Sequence, residues 1–177
     1  APEAYERRWN PMAPPPGQRH PVARRRNRFA SAEEMFDTLR PRAPFADFDE
    51  AALRDYCRHG LRPAVDGDGL DLCCAPDFEA RVYETGASNA AIHADVRAVA
   101  VPVTVARARQ PSEPTHLQDF SYSPTWPGLA QAFADGRDVP LPELGHFVPM
   151  QAPERTAALI RAEAQALATH THAGDAR

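Results

Sequence analysis

One histidine lies where it could move a proton for catalysis. His146 follows a short apolar run that ends at Leu141, and it precedes a helix that is predicted to begin near Pro153. Imidazole takes up and releases a proton near neutral pH, so His is the usual general base of enzymes. A single loop histidine is nevertheless more often hydrogen-bonded or solvated than catalytic, so its surroundings must decide the role.

The elements that would position His146 follow from the hydrophobic pattern. Valines alternate from about Val96 to Val105, which predicts a strand with Pro102 at its start or at an irregularity. We expect a short helix over Trp126–Ala134, a last strand over Val139–Leu141, and then a final helix. Four residues at helical spacing would form the packing surface of that helix: Ala157, Ile160, Ala164 and Leu167. Two parallel strands cannot form an independent buried sheet. We therefore expect further core elements, which the sequence does not contain, to cover their apolar faces.

Three short amphipathic helices are predicted upstream of these strands. Ser31 and Glu34 form a capping box for a helix that runs to about Arg40. Asp49 caps a second helix, and Gly60 is expected as the C′ residue that ends it. Pro76 opens a third, with Phe78, Val82 and Tyr83 facing inward, and a turn over Val65–Leu70 precedes it. The three helices resemble a lid that must pack against a separate core.

The amino-acid sequence of the histidine loop resembles the final segment of α/β-hydrolases. The residues are Gly145-His146-Phe147, then Pro149-Met150-Gln151, then Pro153-Glu154. Further segments resemble one branch of that superfamily: Asn27–Ser31, Asp71–Ala80, Pro102–Val105 and Asp119–Pro127. The resemblance implies an α/β fold class, as a partial α/β-hydrolase fold with a helical cap followed by strand-helix-strand-helix. It also implies that His146 is the catalytic base of a nucleophile-His-acid triad.

The nucleophile of such an enzyme is missing from the sequence. α/β-Hydrolases carry Gly-x-Ser-x-Gly or Gly-x-Asp-x-Gly between a strand and a helix, and neither pentapeptide occurs here. Because the nucleophile precedes the histidine in chain order, we expect it upstream of Ala1, in the N-terminal half of a longer hydrolase. A Ser nucleophile would imply ester hydrolysis, whereas an Asp nucleophile would imply hydrolysis of an epoxide or a haloalkane.

The resemblance leaves the acid of the triad open. In many relatives it is an Asp after the penultimate strand, but the loop Arg107–Pro114 contains no Asp. Glu113 is the nearest substitute, Asp119 lies further along, and some relatives place the acid one strand earlier. Five aromatic residues could together line an apolar substrate pocket, although each alone is more often core: Phe36, Phe78, Tyr83, Trp126 and Phe147. We therefore expect a small apolar substrate.

Four segments follow from these patterns: 1–28 as a Pro- and Arg-rich irregular segment, 29–95 as the cap, 96–169 as the C-terminal part of the core, and 170–177 as a polar tail. Of the 177 residues 43% are hydrophobic and 25% charged, the formal net charge is −4, and all 20 basic residues are Arg. This balance favours a globular protein that binds neither nucleic acid nor a membrane.

The cysteines and histidines add no further chemistry. Cys57, Cys73 and Cys74 form neither a disulfide framework nor a zinc pattern, so we expect a cytoplasmic protein with no metal and no cofactor. His170 and His172 are only a weak metal signal. Two alternatives stay open: one chain of a split enzyme, or a non-catalytic interaction module. In isolation, the chain is expected to self-associate through an exposed sheet edge.

Overall fold

A computed structural model describes residues 14–15, 17–85, 92–112 and 119–174. Within these ranges a mainly helical N-terminal part, called the cap here after the prediction, ends with a helix at Glu84 and is followed by two parallel strands and their flanking helices. The cap consists of β1 (Arg28–Phe29), α1 (Ala32–Leu39), α2 (Glu50–His59), β2 (Leu61–Pro63), β3 (Leu70–Leu72) and α3 (Pro76–Glu84). The second part consists of α4 (Ile92–Ala98), β4 (Val103–Ala108), α5 (Leu129–Ala132), β5 (Gly136–Leu141), α6 (Val148–Gln151) and α7 (Pro153–Gly174).

The predicted helix starts of the cap are confirmed. The Ser31 hydroxyl accepts the Glu34 N–H at 3.1 Å, and the Glu34 carboxylate accepts the Ala30 N–H at 2.6 Å. The Asp49 carboxylate accepts the Ala52 N–H at 3.0 Å at the start of α2. These short-range bonds satisfy backbone donors that a helix leaves free in its first turn, so local sequence is enough to fix them.

Gly60 follows the last residue of α2, as predicted, and its φ of −81° is outside the left-handed region. A Cβ at this position would lie 2.6 Å from the Tyr56 carbonyl oxygen, and only glycine tolerates that approach.

A small antiparallel sheet in the cap was not predicted. Its strand order is β1-β3-β2, and each strand has only two or three residues. The connection between β2 and β3 is the predicted turn, with Gly67 and Gly69 in the left-handed region at φ values of 95° and 81°. Strands this short carry too few alternating residues to be recognised from a pattern.

The cap has its own hydrophobic core, formed by α1, α2 and the small sheet. Its buried members are Phe29, Met35, Phe36, Phe48, Leu53, Cys57 and Leu72. The prediction that Phe78 and Val82 face inward is wrong, because they are 66% and 56% exposed. Helix α3 buries Pro76 and Ala80 instead and packs on a 3₁₀ turn at Pro21–Arg24. A distant segment thus selects the buried face of α3.

Strands β4 and β5 pair in parallel from Val103↔Gly136 to Ala108↔Leu141. The strand predicted from about Val96 begins only at Val103, since Val96 lies in α4 and Val101 is exposed. Val99 and Val101 therefore fit the alternating pattern although neither belongs to a strand. Pro102, which lacks a backbone N–H, lies directly before β4.

Two further boundaries differ from the prediction. The helix expected over Trp126–Ala134 is only Leu129–Ala132, and β5 begins three residues before the predicted Val139. A Cβ on Gly136 would lie 1.8 Å from the Ala130 carbonyl oxygen. This close approach of backbone to backbone brings the end of α5 onto the start of β5.

The final helix is longer than predicted and uses another face. Helix α7 continues to Gly174, so residues 170–174 of the predicted polar tail are helical. Leu159 packs against the sheet core of Ala108, Leu141 and Val148, whereas Ile160 and Leu167 of the predicted packing stripe are exposed.

Most of the arginines described in the N-terminal segment are paired within the chain. They form ion pairs with cap carboxylates: Arg19 with Asp77, Arg25 with Glu79, Arg26 with Glu34, and Arg28 with both Asp66 and Asp71. The cap thus neutralises four of the five arginines that the structure describes in this segment.

A partly buried ion pair between the two parallel strands should stabilise the sheet. Arg107 and Asp138 are 11% and 24% exposed, and Nε of Arg107 lies 2.6 Å from the Asp138 carboxylate. Asp138→Asn should lower the free energy of unfolding by about 1–3 kcal/mol, because it leaves a partly buried guanidinium without its charged partner. Glu143→Gln, which breaks the exposed pair with Arg155, is the matched control and should change it much less.

The same pair gives a pH dependence. The hydrogen bond from Arg107 holds the pKa of Asp138 below its usual range. Its contribution to stability is therefore present above the unfolded pKa of about 3.9 and is lost as pH falls through the folded pKa. Urea unfolding should show the Asp138→Asn deficit at neutral pH and a smaller one in acid. Equal deficits for both variants would contradict this role.

Candidate functional site

His146 lies in the loop between β5 and α6, and two hydrogen bonds fix that loop. The His146 N–H donates to the Phe120 carbonyl at 2.9 Å. The Gly145 N–H donates to the side-chain oxygen of Gln151 at 2.7 Å. Gly145 is buried, and a Cβ there would lie 2.9 Å from the Phe120 carbonyl oxygen. Glycine is therefore required before the histidine.

Arg109 joins the loop after β4 to the histidine loop. Its backbone N–H donates to the Leu144 carbonyl at 2.9 Å, and its carbonyl accepts the Ser123 N–H at 2.7 Å. Its guanidinium donates to the carbonyls of Pro142 at 2.9 Å and Glu143 at 3.3 Å. These bonds extend the pairing of the two strands beyond their ends, up to the residues that precede His146.

Two aromatic rings lie against the imidazole. The Phe120 ring stacks on it with centroids 5.7 Å apart, and the Phe147 ring meets it edge-on at 4.8 Å. The two rings bury part of the imidazole, although the residue as a whole remains exposed. This partial burial lowers the pKa of His146 below its ordinary value. The neutral ring is therefore the main form at pH 7, and a neutral imidazole can act as a base.

His146 is one of the residues that line a groove of about 320 Å³. Alternate residues of β4 line one wall and helix α7 the other: Thr104, Ala106 and Ala108 face Thr156, Leu159 and Ile160. Ser123, which is buried, also lines the groove, and its hydroxyl accepts the Thr125 N–H at 3.2 Å. In the part of the chain that the structure describes, β4 pairs only with β5, so its other edge is open.

The predicted acid of the triad cannot be placed. Glu113 lies outside the described residues. Asp119, the residue further along, accepts the Ser121 N–H at 3.0 Å and lines a different cavity from the groove. Over the described ranges no side chain forms a hydrogen bond with the imidazole of His146.

The five predicted pocket aromatics do not come together. Phe36 belongs to the cap core, where the Arg54 guanidinium lies 4.0 Å from its ring centroid. Phe78 is exposed, Tyr83 lines a separate cavity, and Trp126 lies over Gly128. Phe147 alone of the five touches the imidazole ring, and it also contacts Phe48 of the cap. Their role in substrate binding stays a prediction.

A second cavity of about 380 Å³ lies between the N-terminal segment, the cap and the loop at Asp119–Ser121. Its walls include His20, Pro44, Asp47, Tyr83, Asp119 and Phe120. Phe120 borders both sites, because its ring lines this cavity and stacks on His146. No pattern in the sequence indicated His20 or Asp47, whereas Phe120 and Gln151 lie in segments that resembled the hydrolases.

A solved structure identifies the fold. The crystal structure of E-2-(acetamidomethylene)succinate hydrolase matches 90% of this chain at 21% identity with a TM-score of 0.51. The present chain has a partial α/β-hydrolase-like fold. It spans about half the length of that neighbour, since the match covers 50% of it. No protein-family model matches the chain, and no curated protein matches it significantly.

Within the described ranges, no group of three or more His, Cys, Asp or Glu residues is arranged to hold a metal ion. None of the helices in these ranges combines the length and apolar character needed to span a membrane.

The lowered pKa of His146 can be measured by NMR titration of its ring protons, assigned with His146→Gln. We expect a midpoint below the ordinary value of about 6.5. Because folding favours the neutral ring, this group weakens folding as pH falls through and below 6.5. Phe120→Ala should raise the midpoint by exposing the imidazole. A midpoint at or above 6.5 in the unmodified chain would refute the described environment.

Gln151 should hold the histidine loop. Gln151→Met keeps the size of the side chain but leaves the buried Gly145 N–H without its acceptor, which costs about 1–3 kcal/mol of stability. The ring signals of His146 should shift as well. Gln165→Met, at an exposed position of α7, is the control and should leave both unchanged. An unshifted His146 spectrum in Gln151→Met would show that another contact fixes the loop.

Proposed function

We propose that this chain supplies the general base and the cap of a hydrolase that acts on a small apolar ester-type substrate. His146 would take a proton from the nucleophile and later activate water. The observation that supports this most is its placement. A neutral imidazole follows the last parallel strand, on a loop held by Arg109, Gln151 and Phe120.

The nucleophile of this proposal comes from outside residues 1–177. The sequence contains no nucleophile pentapeptide, and the solved neighbour is about twice as long as the matched region. The core half that carries the nucleophile would occupy the open edge of β4 and the groove beside α7. The exposed side chains of Val101 and Ile160 support such a partner, because apolar surface of this kind favours association. Without it, the chain should be inactive and prone to self-association.

The acid and the substrate belong to the same proposal. Glu113 is our candidate acid, from the loop after β4. The solved neighbour is named for a succinate, a compound with two carboxylates. The groove that His146 lines consists mainly of small and aliphatic residues and, among the described residues, contains no Arg. This lining favours a substrate other than a dicarboxylate. An Asp nucleophile would change the chemistry to epoxide or haloalkane hydrolysis.

A second candidate is one chain of a natural split enzyme. The open β4 edge and the groove favour it, because both would be covered by a separately encoded core half. Activity would then appear only when the two chains are mixed.

The test is hydrolysis of p-nitrophenyl esters by the protein encoded by the whole gene, read in frame through the codons before Ala1. His146→Ala should lower kcat/KM about a thousandfold or more, because removing a triad base leaves only binding and electrostatic stabilisation. His59→Ala, an exposed histidine at the end of α2, is the control and should retain activity.

The outcomes of this test distinguish the candidate functions. A fluorophosphonate label on the whole protein would identify a Ser nucleophile, and a trapped alkyl-enzyme ester would identify an Asp. If His146→Ala retains full activity, the proposed base is wrong. If no nucleophile is encoded upstream and no second chain restores activity, the interaction module becomes the better reading.

A further inference from the structure

Two adjacent cysteines lie in a bend of the cap and have no part in the proposed hydrolysis. Cys73 and Cys74 come directly after β3 and precede Pro76, the first residue of α3. Both are exposed, and neither is part of a disulfide. Neighbouring side chains of a strand point to opposite faces, but in this bend both residues line one cavity of about 330 Å³, called here the cysteine pocket.

The end of α2 fixes the first of these two residues. The Cys73 N–H donates to the Gly60 carbonyl at 2.9 Å, and the Cys73 thiol donates to the His59 carbonyl at 3.6 Å. Gly60 also lines the pocket. The position of the two thiols therefore depends on the folded cap and not only on the Cys-Cys sequence.

A disulfide between the two neighbours would be strained. The peptide that joins Cys73 to Cys74 is trans, which holds their Cα atoms about 3.8 Å apart. Disulfides usually need a separation of about 4.4–6.8 Å between the Cα atoms. A single atom that bridges the two sulfurs makes the ring one member larger, so it relieves this strain and keeps both thiols engaged.

The set of ligands narrows the class of the bridging atom. Among the described residues no third His, Cys, Asp or Glu joins the two cysteines to form a metal-binding group, whereas a structural zinc site needs four ligands. Sulfur ligands select soft centres. Trivalent arsenic is a soft centre with three pyramidal bonds, so it can take two neighbouring sulfurs and keep one organic substituent. Two-coordinate silver or mercury ions instead need sulfurs on opposite sides.

The other walls of the cysteine pocket suit an uncharged organic substituent. Leu72 and Tyr56 contribute apolar and aromatic surface. The two charged residues of the lining, Arg25 and Glu79, form an ion pair with each other. A neutral apolar group can therefore lie in the pocket without leaving either charge unpaired.

We propose that the cysteine pocket is a dithiol site for trivalent organoarsenicals. With an arsine oxide, the bonds from arsenic to oxygen break, two bonds form from arsenic to the Sγ atoms of Cys73 and Cys74, and the oxygen leaves as water with the two thiol protons. Arsenic stays trivalent, so the step needs no oxidant or reductant. The organic group lies against Tyr56 and Leu72. The site does not depend on the proposed hydrolysis, because it shares no lining residue with the groove of His146.

Intact-mass spectrometry of the 177-residue chain treated with phenylarsine oxide tests the site. One phenylarsenic group should add to each chain, stay bound in 2-mercaptoethanol and leave with 2,3-dimercaptopropanol, because only a dithiol can replace both sulfurs at once. A peptide of residues 70–77 contains the same two cysteines without the pocket. In competition for limiting reagent, the folded chain should bind at least about tenfold more tightly, because the fold positions the sulfurs in advance.

Variants assign the two sulfurs. Cys73→Ser and Cys74→Ser should each weaken retention about a hundredfold or more, because the second bond is then no longer intramolecular. The matched control combines Cys74→Ser with Gln165→Cys, at an exposed position of α7. It keeps the number of exposed thiols but separates them, so it should behave like Cys74→Ser alone.

Alkylation gives a second readout that needs no variant. Iodoacetamide should label Cys73 and Cys74 of the folded chain but not Cys57, which is 1% exposed. Prior treatment with phenylarsine oxide should block both labels together.

Four results would overturn the proposal. They are no retained arsenic on a chain whose circular dichroism shows it folded, equal retention by the control with separated thiols, equal binding by the peptide, or cysteines that resist alkylation until a reductant opens a disulfide between them. None of these readouts uses esterase activity, so failure of the hydrolase proposal leaves the arsenical site standing, and the reverse also holds.

Discussion

The position of the candidate base depends on Arg109. One residue joins three stretches of backbone: its N–H and guanidinium bind the carbonyls of residues 142–144, and its own carbonyl accepts the Ser123 N–H. Parallel strands end in loops with no regular hydrogen-bonding partners, so such loops need side chains to order them. Together with the bond from the Leu144 N–H to the Leu141 carbonyl, these bonds hold the chain just before Gly145 and His146.

The histidine loop is also the place where two cores meet. Phe147 and Met150 pack against the cap core, whereas Val148 and Leu144 belong to the sheet core. The alternation of residues 147 and 148 directs one side chain to each core. This arrangement explains why a four-residue helix, too short to be stable by itself, persists at Val148–Gln151.

The sequence predicted best what is determined locally. Ser31 and Asp49 cap helices through residues three positions away, and Pro76 fixes a helix start through its own ring. The histidine loop was recognised from its sequence, and the bond from the Gly145 N–H to the Gln151 side chain spans only six residues. The fold class followed from that resemblance and is confirmed by the solved neighbour.

The predictions that failed concern features that depend on residues far away in the sequence. Phe78 faces solvent because α3 packs on the Pro21–Arg24 turn, more than fifty residues earlier in the chain. The strand at Val103 was extended too far because alternation alone cannot show where the partner strand ends. The cavity around His20 joins residues from 20 to 121, and no local pattern could have brought them together. Glu113 remains a sequence prediction, since it lies outside the described residues.

The attachment of the cap links it mechanically to the candidate base. The Asp49 N–H that begins α2 donates to the Met150 carbonyl at 2.9 Å, and Phe48 meets Phe147 edge-on at 5.3 Å. Both contacts join the cap to the four residues after His146. The histidine loop is therefore the point at which these contacts attach the cap. The cap therefore cannot swing away as a rigid unit without either breaking these two contacts or moving the imidazole with it.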